Sequence, residues 1–176
     1  MIMTLDQAVG HDALQIEDIT LEPIGPPGYL RMPAQPVGLV IFAHGSGSSR
    51  NSRRNNYVAE GLGETGFATL LFDLLTPEEE ADRANVFDIP PLSDRLVSAV
   101  KWAARDPRTK DLPIGLFGAS TGAAAALVAA AATQNHRVGA VVSRGGRPDM
   151  AACAFQWVKA PTLLIVGGND HQVLQL

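Results

Sequence analysis

Along the chain, short apolar runs of strand length alternate with longer segments of helical period. Gly38 to Ala43, Phe67 to Phe72, Leu112 to Phe117, Val138 to Val142 and Thr162 to Val166 are predominantly apolar throughout. That is the pattern of strands buried on both faces of a parallel sheet. Between them, Arg53 to Glu64 carries Val58 and Leu62 one turn apart and is closed by Gly66. Leu92, Leu96, Val100 and Ala103 mark an amphipathic helix entered through Pro90-Pro91 and ended before Pro107, and Ser120 to Thr133 is alanine-rich. Upstream, Leu14 to Leu21 alternates apolar and polar residues and predicts an antiparallel edge strand. Pro26-Pro27-Gly28 predicts a turn and Tyr29 to Met32 a second short strand. Thr76 to Pro90 is an acidic connection with no period.

Strands alternating with helices of this length imply βαβ units, so the expected fold is α/β: a mostly parallel sheet with helices on both faces. There is no internal repeat or linker, which makes residues 1–176 a single domain. Ligands of such sheets bind beyond the carboxyl ends of the strands, and candidate chemistry is sought there.

Composition narrows the function classes. The chain is 46% apolar and 18% charged, as globular proteins are, and its 14 basic against 18 acidic residues argue against a nucleic-acid groove. The single cysteine, Cys153, excludes an internal disulfide. The start MIMTLDQAVGHDAL lacks the basic-then-apolar pattern of a secretory signal, and the most apolar stretch, Ala123 to Ala132, is too short to span a bilayer. The expectation is a cytoplasmic protein with no membrane partner.

Directly after the third of these apolar runs comes Gly118-Ala119-Ser120-Thr121-Gly122, followed by the alanine-rich helix. This is G-x-S-x-G in the strand–turn–helix setting that a nucleophile elbow requires. It nominates Ser120 as nucleophile and the N–H of Thr121 as an oxyanion donor, aided by the positive end of the following helix. The bare pattern also arises by chance in glycine-rich turns, and its setting is what gives it weight.

The loop after the first of these runs, His44-Gly45-Ser46-Gly47-Ser48-Ser49-Arg50, occupies the place where a second oxyanion N–H is supplied, and Ser46 is the expected donor. His44 is a rival as catalytic base, although a histidine here more often shapes the loop through its own backbone. A phosphate cradle is the other alternative, but the third glycine of a dinucleotide fingerprint and any G-K-[ST] are missing. For the acid, Asp170 follows Leu163 to Val166 through Gly167-Gly168-Asn169, after the serine in chain order. An ordinary turn aspartate is the bland alternative. Asp73, at the end of Phe67 to Phe72, is the rival acid and reads better as a loop-fixing residue. The loop Arg144-Gly145-Gly146-Arg147 borders the same end of the sheet, where it could contact an anionic substrate or be tethered by surface ion pairs. Glu78-Glu79-Glu80 reads as a solvated helix start after Pro77.

The stretches LVIFAHGSGSSR, ATLLFDLLTPEEE, LPIGLFGASTGAAAAL, VVSRGGRPD and APTLLIVGGND, in this order, resemble the dienelactone hydrolases of the α/β-hydrolase superfamily. The resemblance runs from about Leu14 to the end of the chain. It implies an α/β-hydrolase fold and hydrolysis of a small carboxylic ester or related acyl substrate through an acyl-enzyme, with no cofactor and no metal. It departs from the family in two ways. The dienelactone hydrolases proper carry a cysteine nucleophile where this chain has Ser120, which places it with a serine-nucleophile branch. The family's histidine lies well past the acid, whereas Leu176 is six residues after Asp170. The resemblance therefore implies a chain lacking the last strand, the histidine loop and the closing helix.

The four histidines are His11, His44, His136 and His171. His11 has no assignable place, and His136 precedes a strand, at the end of the sheet away from the expected site. His171 adjoins Asp170 and is a weak candidate, because a base must lie between acid and serine. The general base is thus unassigned. Losing it from a serine triad costs about a million-fold in turnover. An exposed sheet edge is also expected where the last strand should pair, open to a second copy or a complementing chain. The competing function is a non-catalytic interaction or scaffold protein that keeps the hydrolase fold.

Overall fold

The computed structural model describes residues 14–22, 25–133 and 138–176; His11 and His136 lie outside them. Seven strands form one sheet: β1 (Gln15–Thr20), β2 (Pro27–Met32), β3 (Gly38–Ala43), β4 (Phe67–Phe72), β5 (Ile114–Ala119), β6 (Val138–Arg144) and β7 (Thr162–Ile165). Their order is β1-β2-β4-β3-β5-β6-β7. β1 pairs antiparallel with β2 and β2 with β4, while all pairs from β4 to β7 are parallel. The expected antiparallel edge is therefore present. Among the described residues four helices accompany the sheet: α1 (Arg53–Glu64), α2 (Pro77–Glu80), α3 (Ile89–Ala103) and α4 (Thr121–Ala132).

The two faces bury different residues of the same strands, as the period of two demands. Leu39, Ile41 and Ala43 of β3, Ala68, Leu70 and Phe72 of β4 and Ile114 and Leu116 of β5 pack with α3 and α4. Phe42, Leu71 and Phe117 face the other way, against Ala59 of α1, with the Phe42 and Phe117 rings 4.9 Å apart. Helix α4 is built almost wholly of alanine, and Ala123, Ala124, Ala125, Ala126 and Ala129 are fully buried. Small side chains let its backbone lie close to β5 and to α3.

Several boundaries differ from the sequence reading. β2 starts at Pro27, inside the expected turn; a proline is tolerated as the first residue of a strand. β6 continues to Arg144 because its ladder with β5 runs on to the pair Ala119–Arg144. The connection after Thr76 is ordered by a capping box: Thr76 Oγ1 accepts the Glu79 N–H at 3.3 Å and Glu79 accepts the Thr76 N–H at 2.8 Å. The segment Pro148–Trp157 winds as 3-10 turns.

β7 is the sheet edge expected from the sequence, with all four of its residues exposed. Leu163 and Leu164 each keep 57% of their surface in contact with solvent, on opposite faces. The core lies at the centre of the sheet instead. Leu70→Ala, at a fully buried position of β4, is expected to cost about 3 kcal/mol, and Leu163→Ala under about 1 kcal/mol. Urea midpoints of the two variants check the contrast.

Candidate active site

The chain runs from β3 to β4 on one side and from β5 through β6 to β7 on the other, so the strand order reverses between β3 and β5. The crevice outside the carboxyl ends of these two strands is where α/β sheets hold ligands. The loops after β3 and β5 meet there.

Ser120 joins β5 to α4 with φ 53° and ψ −124°, and it is the one non-glycine residue at positive φ among the described residues. Such a backbone costs on the order of 1–3 kcal/mol and persists only where its surroundings determine it. Those surroundings are visible. The Ser120 carbonyl accepts the N–H groups of Ala123 (3.0 Å) and Arg147 (3.2 Å), and its own N–H donates to the Arg144 carbonyl (3.4 Å). The flanking glycines are required by space. A Cβ at Gly118 would collide with the backbone of Ala123, and one at Gly122 with the carbonyls of Ala43 and His44. The half-buried serine hydroxyl has no partner among the described residues.

Ser120 shares a cavity of about 640 Å³ with Asp170, Gly45, Arg53, Arg54 and Arg144. The structure thus brings the expected nucleophile and acid to one opening. Asp170 is exposed, and its carboxylate accepts the Val173 N–H at 3.3 Å, capping the last turn of the chain. His171 is exposed and is not among the residues lining this cavity.

The two expected oxyanion donors are coupled. The N–H of Thr121 donates to no described protein atom, whereas that of Ser46 donates to Thr121 Oγ1 at 3.1 Å. Ser46 must release this bond to serve a substrate oxygen.

His44 is committed elsewhere. Its Nε2 accepts the Leu74 N–H at 3.0 Å, so the proton sits on Nδ1, which donates to the Gly45 carbonyl at 3.0 Å. The ring is buried, and burial holds its pKa below the ordinary histidine value. It is a neutral tie between the loops after β3 and β4, with neither nitrogen free to take a proton. Asp73 is committed too, accepting the Arg50 N–H at 2.7 Å and pairing with the Arg50 guanidinium. At the far side, Arg147 pairs with Asp149 at 2.7 Å, while Arg144 turns into the cavity. Arg53 and Arg54 as cavity residues were not read from the sequence. The available signal was a helix that opens on two arginines with no acid in its first turn.

The sheet order, the crossing helices and the strained serine between β5 and α4 are those of an α/β-hydrolase. Residues 27–175 match the dienelactone hydrolase family. The crystal structure of a dienelactone hydrolase from Anabaena variabilis ATCC 29413 is 51% identical in sequence and superposes with a TM-score of 0.86, covering 94% of this chain and 78% of that one. The chain belongs to the dienelactone hydrolase family. The α/β hydrolase GrgF from Penicillium sp. sh18, 23% identical, shares the fold with a TM-score of 0.62 over 76% of this chain and 46% of its own. Two proteins of Mycobacterium tuberculosis, from strains CDC 1551 / Oshkosh and H37Rv, are each 62% identical over 88% of this chain and are named "Putative phosphoribosyl transferase". This chain spans 34% of their length.

Two outcomes follow from the site geometry. Because His44 is held neutral, its protonation favours the unfolded chain. Its contribution is complete above about pH 6.5, the unfolded value, and is lost as pH falls from there through the lowered folded value. In that window the slope of unfolding free energy is positive, at most about 1.4 kcal/mol per pH unit, and His44→Gln flattens it; urea denaturation at a series of pH values checks this. Gly122→Ala is expected to cost more than about 3 kcal/mol, since backbone rather than a mobile side chain must yield; its thermal midpoint checks this.

Proposed function

We propose that this chain carries the nucleophile of a serine hydrolase acting on a carboxylic ester or related acyl substrate. The observation that carries the reading is Ser120 held at positive φ between β5 and α4, with glycine sterically required two residues on either side. That is the physical content of a nucleophile elbow. Ser120 Oγ attacks the acyl carbon, its proton passes to a base, and the alcohol leaves with a proton; water then cleaves the acyl-serine and restores the hydroxyl. The tetrahedral oxyanion lies near the N–H of Thr121 and, once it leaves Thr121 Oγ1, the N–H of Ser46. Asp170 is the acid that would orient the base.

The base is the open position. His44 is used at both nitrogens, and His171 stands outside the cavity. With no base for Ser120 among the described residues, removing a second member of the unit is expected to change little, because triad members act together. Turnover of p-nitrophenyl acetate by this chain and by Ser120→Ala is therefore expected to differ by less than about tenfold. Added imidazole, supplying the base from solution, is expected to accelerate the chain and not Ser120→Ala. A fluorophosphonate probe is expected to modify Ser120 slowly and in preference to Ser46 and Ser48, by peptide mass. Equal labelling of all three serines, together with an equal imidazole response of both proteins, overturns the reading.

A second reading, a non-catalytic protein retaining the hydrolase fold, is favoured by the commitment of both His44 nitrogens. The same labelling separates the two.

A further inference from the structure

Helix α1 opens on Arg53 and Arg54, directly behind its N-cap Ser52, and has no acidic residue in the first turn. The positive end of a helix dipole favours anions and disfavours cations. The N–H groups nearest that end are also unclaimed. Ser52 accepts the N–H of Asn55 at 3.4 Å on its hydroxyl and that of Asn56 at 2.9 Å on its carbonyl, while those of Arg53 and Arg54 donate to no described protein atom.

A third cation comes to the same place from the sheet. Arg144, the last residue of β6, gives Nη2 to Asn55 Oδ1 at 3.1 Å and lies 5.9 Å from the centre of the Phe117 ring. Its Nε is buried without a partner, and apart from the Nη2 bond to Asn55 its guanidinium donates to no described side chain. Burial, and then the charge of Arg54, push this guanidinium below its ordinary pKa. Among the described residues none of these three arginines forms a salt bridge, as Arg31, Arg83 and Arg105 also do not, whereas Arg50, Arg95, Arg108 and Arg147 do; what sets the three apart is that they line one cavity. The cavity they line holds one carboxylate, Asp170. Three guanidinium charges against one carboxylate leave two unmatched. Positive charge is stacked on a positive helix end beside Ser120, against each local electrostatic preference. Departures of this kind mark functional sites.

We propose that Arg53, Arg54 and Arg144, with the first N–H groups of α1, form a subsite for the phosphate group of a phosphorylated ester substrate, holding it beside Ser120. A phosphate monoester carries about −2 at neutral pH, matching the unmatched charge, and offers three acceptor oxygens to the converging guanidinium and N–H donors. A lone carboxylate carries half that charge. Calling the ligand a substrate rests on Ser120 being the nucleophile; the phosphate site itself does not.

The test is isothermal titration of the chain with inorganic phosphate, glycerol 3-phosphate and acetate at constant ionic strength. Both phosphates are expected to bind, glycerol 3-phosphate at least as tightly as inorganic phosphate, and acetate at least about tenfold more weakly. Arg144→Gln and Arg54→Gln are each expected to weaken both phosphates by about tenfold. Arg54 is exposed, so its variant retains the fold, which circular dichroism checks. Acetate binding as tightly as phosphate, or phosphate binding unchanged in Arg54→Gln, overturns the subsite. Binding of inorganic phosphate alone overturns the substrate assignment. Arginine-dependent binding of both phosphates, with Ser120 unlabelled by fluorophosphonate, would instead leave the subsite standing and remove the hydrolase reading.

Discussion

The first turn of α4 lies so close to the end of β3 that Gly122 rests on the carbonyls of Ala43 and His44. Much of the molecule is arranged around that approach. It brings the loops after β3 and β5 together at the reversal of strand order, and it forces the chain between β5 and α4 through a positive-φ conformation in which Ser120 is clamped by hydrogen bonds on both sides. The alanines of α4 serve the same end, since larger side chains would lift the helix from β5 and open the turn. His44 belongs to this arrangement as well. Its Nε2 accepts from Leu74 and so joins the loops after β3 and β4 beneath the site, while Nδ1 donates to the Gly45 carbonyl within the loop after β3; this use of both nitrogens is incompatible with proton transfer.

Charge is not spread evenly over the molecule. Around the rim, arginines are neutralised where they stand: Arg50 by Asp73, Arg95 by Glu79 and Arg147 by Asp149. At the mouth beside Ser120 the pattern inverts, and Arg53, Arg54 and Arg144 converge without a salt bridge among the described residues. The side of the sheet beyond β6 is different again. β7 is apolar and exposed along its length, so the same end of the molecule presents an open charged cavity and an uncovered strand.

The parallel strands were legible because each is a short apolar run bounded by turn residues, and β3 and β4 fall on the ranges that the pattern predicts; β1 was legible from its alternation instead. Of the acidic connection after Thr76, only the helix start at Pro77 and Glu78-Glu79-Glu80 was legible, and it forms α2; the rest carries no periodicity. Ser120 was legible because G-x-S-x-G is a steric requirement written in residue types. Arg53 and Arg54 were not, since a helix read for its apolar face says nothing of what its first turn points toward. Ser46 shows the same limit: its place in the loop was predictable, but its bond to Thr121 Oγ1 joins residues that the fold alone brings together.

The sequence by itself determined the strand and helix order, the strained serine and its two glycines, because these depend on local sterics and on the periodicity of burial. Only the tertiary structure decided what each charged or titratable group does. It made His44 a neutral tie, Asp73 a partner of Arg50, and Arg144 a cavity cation while Arg147 became a surface pair. Such roles depend on distances between residues far apart in the chain, and composition and spacing do not carry those distances.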